Sequence, residues 1–289
     1  MSFAFDGFEA GQPSKRWARR IALAMFHALP AVAYQRMRRF PALGRLSRRV
    51  LDGLLPSDGF YIVRVRAGRL RGLALDIDPR VHKEMIVGRY EPHLAAAMED
   101  ILNLDDVAFD VGAHVGYFSL LMATCVGPGG RVIAFEPDPV VFHRLERSVR
   151  LNSPTPGGAI KPLAAAAGAV AGTGRFARGS DSSTGKLSDG GEFEVLVTTL
   201  DDTAAQHGIP SLVKIDVEGE ELDTLRGAVK LLRTGSTSFI IEAHSEELER
   251  ACVEVLGRYG YRTRRLVSPS RTDIHLLGLA PARRPRGSL

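Results

Sequence analysis

At 289 residues the chain has room for one large domain, or for one domain with an appendage. Its 45% apolar and 25% charged fractions are those of an ordinary globular protein, which excludes a disordered or fibrous class. The net charge of +5 is unevenly spread: residues 1–51 hold ten basic against two acidic residues, the remainder 28 basic against 31 acidic. The body of the chain is therefore slightly acidic, which excludes a domain whose own face binds nucleic acid.

The N-terminal segment, 1–55, reads as basic and helical. Its apolar run between arginines, about fourteen residues, is short of the roughly twenty needed to span a bilayer. Three readings stay open: helices packed on the domain, a peripheral contact of residues 14–50 with an anionic inner-membrane surface, and a loose secretory-signal pattern ending at Ala31-Val32-Ala33. A cytoplasmic location, with or without that contact, is expected. Residues 56–84 read as a β-hairpin extension turning at Ala67-Gly68-Arg69. From 85 to 280 strands and helices alternate. Strands are expected near 107–110, 131–135, 159–165, 211–216, 238–242, 261–266 and 273–279. Helices are expected near 90–102, 116–126, 139–152, 201–207, 220–233 and 246–258. This alternation predicts an α/β, doubly wound, mostly parallel seven-stranded sheet. The last two strands have no helix between them, so the final one should run antiparallel. Residues 172–199 read as an insertion over the ligand edge, with a strand at Phe193–Thr199 and a loop at Gly179–Gly185. Residues 281–289 read as a disordered tail. Cys125 and Cys252 fall in predicted helices and read as inert buried thiols.

Ligands of an open parallel sheet bind outside the carboxyl ends of its strands. Two apolar strands here end in a carboxylate and break at glycine: Phe109-Asp110-Val111-Gly112-Ala113-His114-Val115-Gly116 and Leu212-Val213-Lys214-Ile215-Asp216-Val217-Glu218-Gly219. Gly112 permits a tight turn, and Gly116 opens the next helix to close ligand approach. The spacing is G-x-x-x-G. The middle glycine that admits a dinucleotide pyrophosphate is absent, so the loop suits a smaller anion such as an amino-acid carboxylate, with Asp110 facing an ammonium group. Strand Arg131–Phe135 ends in Glu136-Pro137-Asp138, about twenty positions on, where a carboxylate accepts both ribose hydroxyls. Asp138 before Pro139 reads as a helix cap. Carboxylate, ammonium and ribose together describe S-adenosylmethionine better than NAD.

Asp216 ends its strand beside the expected methyl donor, and Glu242 and His244 share one face of the next extended segment. The three could form a base and its orienters, or hold a divalent cation by oxygen and imidazole. Glu220 and Glu221 read as favourable charge at a helix start.

These residues resemble the FkbM family of S-adenosylmethionine-dependent methyltransferases. The glycine loop with Tyr117-Phe118, the Phe135-Glu136-Pro137 turn, Lys214-Ile215-Asp216-Val217-Glu218-Gly219 with Glu221, Leu225, Gly227 and Ala228, and Glu242-Ala243-His244 carry the resemblance over roughly residues 85–265. Gly88-Arg89-Tyr90-Glu91-Pro92 is similar to the family's Tyr-Glu element. The resemblance implies cofactor contacts from Glu91, Asp110, Gly112, His114, Gly116, Glu136, Pro137 and Asp216, and catalytic parts for Asp216, His244 and Glu242. At His114 the family usually shows asparagine; a backbone role survives that change. The implied reaction is O-methylation of a hydroxyl on a sugar, glycan, glycolipid or natural product, with metal dependence open. Asp216 or His244 is the expected base, His244 ahead because neutral imidazole is available at neutral pH. The rival readings are an NAD-dependent oxidoreductase and a non-catalytic membrane-associated module.

Overall fold

The computed structural model describes residues 60–79, 81–154, 157–179, 185–188, 190–267 and 274–282. The expected basic helices of 1–55, the tip of the 179–185 loop, the turn at Ser268–Arg271 and all but the first two residues of the 281–289 tail lie outside them. No helix among the described residues is long and apolar enough to cross a membrane. The chain divides into two compact units, Met1–Tyr61 with Asp78–Lys83, and Ile62–Ile77 with Glu84–Leu289. The site lies in the second.

That unit holds a seven-stranded sheet. Its strands are β3 (Val107–Val111), β4 (Arg131–Phe135), β5 (Ala159–Leu163), β10 (Leu212–Ile215), β11 (Ser238–Ala243), β12 (Arg262–Leu266) and β13 (Ile274–Leu279). The order across the sheet is β12-β13-β11-β10-β3-β4-β5. The pairs from β11 through β5 are parallel, and β13 runs antiparallel to both its neighbours. This is the expected doubly wound, mostly parallel sheet with its last strand reversed. Only seven residues separate β12 from β13, too few for the crossover a parallel pair needs. Phe109, Phe135, Val213, Ile215, Phe239 and Ile241 fill the core at 0% exposure, as apolar strands covered on both faces require.

The helices that bear on the site are α1 (Pro92–Ile101), α2 (Tyr117–Val126), α3 (Pro139–Leu151), α4 (Leu200–His207), α5 (Glu221–Arg226), α6 (Val229–Thr234) and α7 (Glu246–Arg258). One helix was expected over 220–233; there are two. A Cβ on Gly227 would fall 2.1 Å from the carbonyl oxygen of Gly168, so two backbones meet there and only glycine fits. The chain restarts at α6, where the Asp201 carboxylate accepts from the backbone of Lys230 and Leu231. The expected strand 159–165 likewise ends early. β5 is a sheet edge and carries Pro162, which donates nothing to a ladder. Three buried alanines then form β6 (Ala165–Ala167), which joins β7 (Gly172–Ala177), β8 (Lys186–Leu187) and β9 (Phe193–Thr198) in a second sheet of order β6-β9-β7-β8.

Candidate functional site

The strand ends of β3, β4 and β10 open on a cavity of about 260 Å³. Its floor is the glycine turn. Gly112 has φ +76°, and a Cβ there would lie 1.8 Å from the carbonyl oxygen of Asp216. The two acidic strand ends therefore touch through their backbones, and glycine is the residue that permits it. His114 also lies in the left-handed region, φ 49°, which asparagine adopts readily. Its backbone N–H donates to Glu136 Oε2 at 3.0 Å, and Asp138 N–H donates to Glu136 Oε1 at 3.0 Å. So the part of His114 that the site uses is main chain. Both oxygens of Glu136 are aimed by fixed donors, each with lone pairs remaining. Burial lifts the Glu136 carboxyl to about 8, against those two hydrogen bonds. Asp138 caps α3 through Val140 and Val141. It is clasped by Arg178 from the insertion at 2.5 Å and 3.0 Å. Burial works to raise Asp138, but Arg178 and the cap hold it below the usual range.

Beneath the floor lies a charged layer. Asp110 is fully buried and does not line the cavity. Its Oδ2 accepts from Ser119 Oγ at 2.6 Å, and its Oδ1 lies 3.7 Å from Lys214 Nζ. An ammonium of the protein itself, that of Lys214, thus stands beside Asp110. The register that sets Lys214 beside Asp110 on neighbouring strands makes the pair. Burial pushes the Asp110 carboxyl up, and Lys214 opposes it. Lys214 donates to Asp216 Oδ2 at 3.0 Å, and its Nζ stands 5.5 Å from the Phe118 ring centre. Burial would lower the Lys214 ammonium, yet Asp216 and Asp110 hold it well above the usual lysine range. Asp216 is pulled below the usual range by Lys214, against the effect of burial.

Two imidazoles stand behind the cavity wall. His244 Nδ1 lies 2.7 Å from Glu221 Oε1, and its Nε2 lies 3.3 Å from Glu218 and 3.9 Å from Asp216. Burial would lower it, but hydrogen bonding to Glu218 and Glu221 lifts it to about 11. His244 is therefore an imidazolium at neutral pH and does not line the cavity, so the expectation of a neutral imidazole base fails. Glu221, expected as a helix-start charge, does stand in the first turn of α5; it is fully buried there, paired with His244 and accepting from the Gly219 N–H. Second, Glu242 of β11 lies opposite His275 of β13, with His275 Nε2 at 3.1 Å and His93 Nε2 at 3.0 Å from His275 Nδ1. Burial would lower His275; Glu242, Glu91 and Asp216 raise it.

The structure thus brings Gly112, His114, Glu136, Pro137, Asp216 and Glu242 to one cavity. Gly116 opens α2 just behind it, φ 89°. Glu91 begins α1, 3% exposed and off the cavity wall, with its Oε2 3.9 Å from His275 Nε2. The trio Asp216, Glu242 and His244 does not form one cluster. Among the described residues, oxygen-and-imidazole sets within 4.8 Å are Asp216, Glu218 and His244, and Glu91, Glu242 and His275. Each sets one imidazole beside two carboxylates. The sequence reading missed Lys214, Glu221 and His275. The signal for Lys214 was available: a lysine inside an apolar strand implies a buried anionic partner.

A model of the methyltransferase FkbM domain matches residues 110–263. The chain is 36% identical over 210 residues to 31-O-demethyl-FK506 methyltransferase FkbM of Streptomyces tacrolimicus, covering 62% of this chain and 76% of that protein. It is 32% identical over 146 residues to hexuronic acid methyltransferase AglP of Haloferax volcanii, covering 49% and 57%. It is 28% identical over 166 residues to methyltransferase sdnD of Sordaria araneosa, covering 44% and 63%. The chain therefore spans less than two thirds of the length of the last two relatives.

Proposed function

The chain belongs to the FkbM methyltransferase domain family, and from that premise we propose that it transfers a methyl group from S-adenosylmethionine to a hydroxyl of a small molecule, sugar, glycan or glycolipid. The family sets aside the oxidoreductase alternative. The observation that carries the cofactor is Glu136. It is a buried carboxylate at a strand end, with both oxygens aimed by main-chain N–H groups, across the floor from the Gly112 turn. This pair of acceptor oxygens suits the two hydroxyls of a ribose. The carboxylates around the cavity suit a ligand that carries positive charge. Relatives named for a hexuronic acid and for a demethylated natural product support a hydroxyl-bearing acceptor.

The bound cofactor supplies an activated methyl group; the chain's own residues do the rest. Glu136 and the Gly112–Gly116 turn hold the nucleoside and its amino-acid tail. Asp216, fixed by Lys214 and by the backbone of Gly112, shapes the floor. Asp216 already accepts a hydrogen bond from Lys214 at 3.0 Å. Glu242, which lines the cavity, receives the acceptor's hydroxyl proton. Such a base is worth roughly 10²–10⁴-fold in rate.

Calorimetry with S-adenosylmethionine above about pH 8, where Glu136 is ionised, tests the cofactor assignment: wild type binds, and Glu136→Ala weakens binding at least roughly a hundred-fold, as loss of a charged double hydrogen bond implies. Equal binding by Glu136→Ala refutes it. Methyl-labelled cofactor with cell extract, with and without chelator, tests transfer and metal dependence together. Glu242→Gln should slow transfer while cofactor affinity holds. Vesicle pelleting of the full chain tests the basic segment at 14–50, whose binding to anionic lipid would favour a lipid-linked glycan.

A further inference from the structure

We infer that the acceptor side of the cavity is built for an uncharged polyhydroxyl compound, a neutral sugar in preference to a uronic acid or a sugar phosphate. The inference rests on the methyl-transfer reading above.

The reason is the order of charges from the cavity outward. Asp216, Glu218, Glu220 and Glu242 line the cavity. The cations that balance them stand behind. His244 lies 3.3 Å from Glu218, and His275 lies 3.1 Å from Glu242; neither imidazole lines the cavity. Lys214 reaches the lining with a side chain only 4% exposed, and its charge is spent on Asp216 at 3.0 Å and Asp110 at 3.7 Å. Arg178 is held by both oxygens of Asp138, at the nucleoside end. Lys186 lines the cavity and is exposed, with its field falling on Glu220. Among the described residues no other lysine or arginine lines the cavity.

A ligand entering from this side therefore meets carboxylate oxygens first. Ionised carboxylates only accept hydrogen bonds. They are satisfied by hydroxyl donors and are left unpaired, and repelled, by a second carboxylate or a phosphate. The lining also carries an aromatic cluster: Tyr90 packs against Tyr117 at 5.5 Å and against Phe118 at 5.6 Å between ring centres, and all three line the cavity. Aromatic rings and hydrogen-bond acceptors in one cavity fit a ring with one C–H face and a rim of hydroxyls.

The test is saturation-transfer NMR with the full chain and saturating S-adenosylhomocysteine, which lacks the sulfonium charge and so isolates the protein's own field. The probes are methyl glycosides of glucose, galactose and mannose, each beside its uronic acid. The expected result is a neutral glycoside that binds at least roughly ten-fold tighter than its uronic partner, with a gap that narrows as salt is added. In the Glu218→Gln, Glu220→Gln double variant the gap should close to about two-fold while S-adenosylhomocysteine affinity holds. A uronic acid that binds as tightly as its neutral partner, or neutral glycosides that do not bind at all, overturns the inference. A protein that takes up no S-adenosylhomocysteine overturns the methyl-transfer reading along with it; one that takes it up and prefers uronic acids overturns this inference alone.

Discussion

Replacing Lys214 by methionine keeps most of the side chain's volume and removes its charge, so it isolates what the buried ammonium does. With an effective dielectric of about 20, unit charges at the observed 3.0 Å and 3.7 Å attract by roughly 5 and 4 kcal/mol before desolvation is counted. Desolvation of the ammonium offsets much of that in the wild type. The variant has no such relief: it leaves Asp110, at 0% exposure, and Asp216 with no cation between them. Breaking a buried pair in this way costs about 3–5 kcal/mol. For a domain of this size that is a fall of roughly 6–20 °C in melting temperature.

The pH dependence separates this account from a packing defect. In the wild type Asp216 is depressed, so its contribution to stability is present above the unfolded carboxylate pKa and is lost as pH falls through the folded value. Without Lys214 that depression weakens to what His244 and His275 supply, and burial drives both aspartates upward. They then take up protons on acidification, and the penalty fades. Urea unfolding of both proteins from about pH 7.5 to about pH 4.5 should show a deficit that shrinks steadily as pH drops. A deficit under about 1 kcal/mol near neutrality, or one that does not change with pH, refutes the reasoning.

Glu136, lifted by burial to about 8, should make cofactor binding pH-dependent, because ribose hydroxyls donate to the ionised carboxylate. Affinity measured by calorimetry should rise by up to roughly ten-fold per pH unit below about 8 and level off above it; a flat profile counts against the assignment. The same raised pKa means that Glu136 favours the fold below its unfolded value, and that this contribution is lost as pH climbs through about 8. Gly112→Ala places a methyl 1.8 Å from the Asp216 carbonyl at φ +76°, so it should cost more than about 3 kcal/mol in urea unfolding and abolish cofactor uptake. Wild-type stability in that variant would show that the two strand ends do not touch. Glu221→Gln removes the anion on His244 Nδ1. The imidazole should then titrate well below about 11 in an NMR titration, and an unmoved value would place its charge elsewhere.

What the sequence displayed was periodic or local. Strand positions, the reversed last strand, the cap at Asp138 and the glycine turn follow from apolar runs, a missing crossover helix and residues a few positions apart. The pairings of charges were not legible, because they are set by register between distant strands. His275 faces Glu242 only because β13 lies antiparallel on β11, a juxtaposition 33 residues apart in the chain. Glu221 looked only like a helix-start charge because helix starts favour acids. The turn of Glu218 and Gly219 through positive φ precedes the short helix that carries Glu221 inward. His244 was misjudged for the same reason: an isolated histidine suggests a neutral imidazole, and two carboxylates supplied by another segment reverse that.

The site's two most telling motifs are one physical object. Residues i and i+2 of a strand share a face, so Asp110 and Gly112 align on β3 and its turn, as do Lys214 and Asp216 on β10 and its end. Parallel register then sets Asp110 beside Lys214, and carries Gly112 against the backbone of Asp216. Neither pattern is stable without the other. Asp110 would be a buried anion without Lys214, and Asp216 could not close over any residue but glycine at 112. The acidic strand end that faces the cavity is therefore held in place by Lys214 and by the backbone of the glycine turn. Substitutions in that buried layer should move cofactor affinity and stability together, whereas those at Glu242 should move turnover alone.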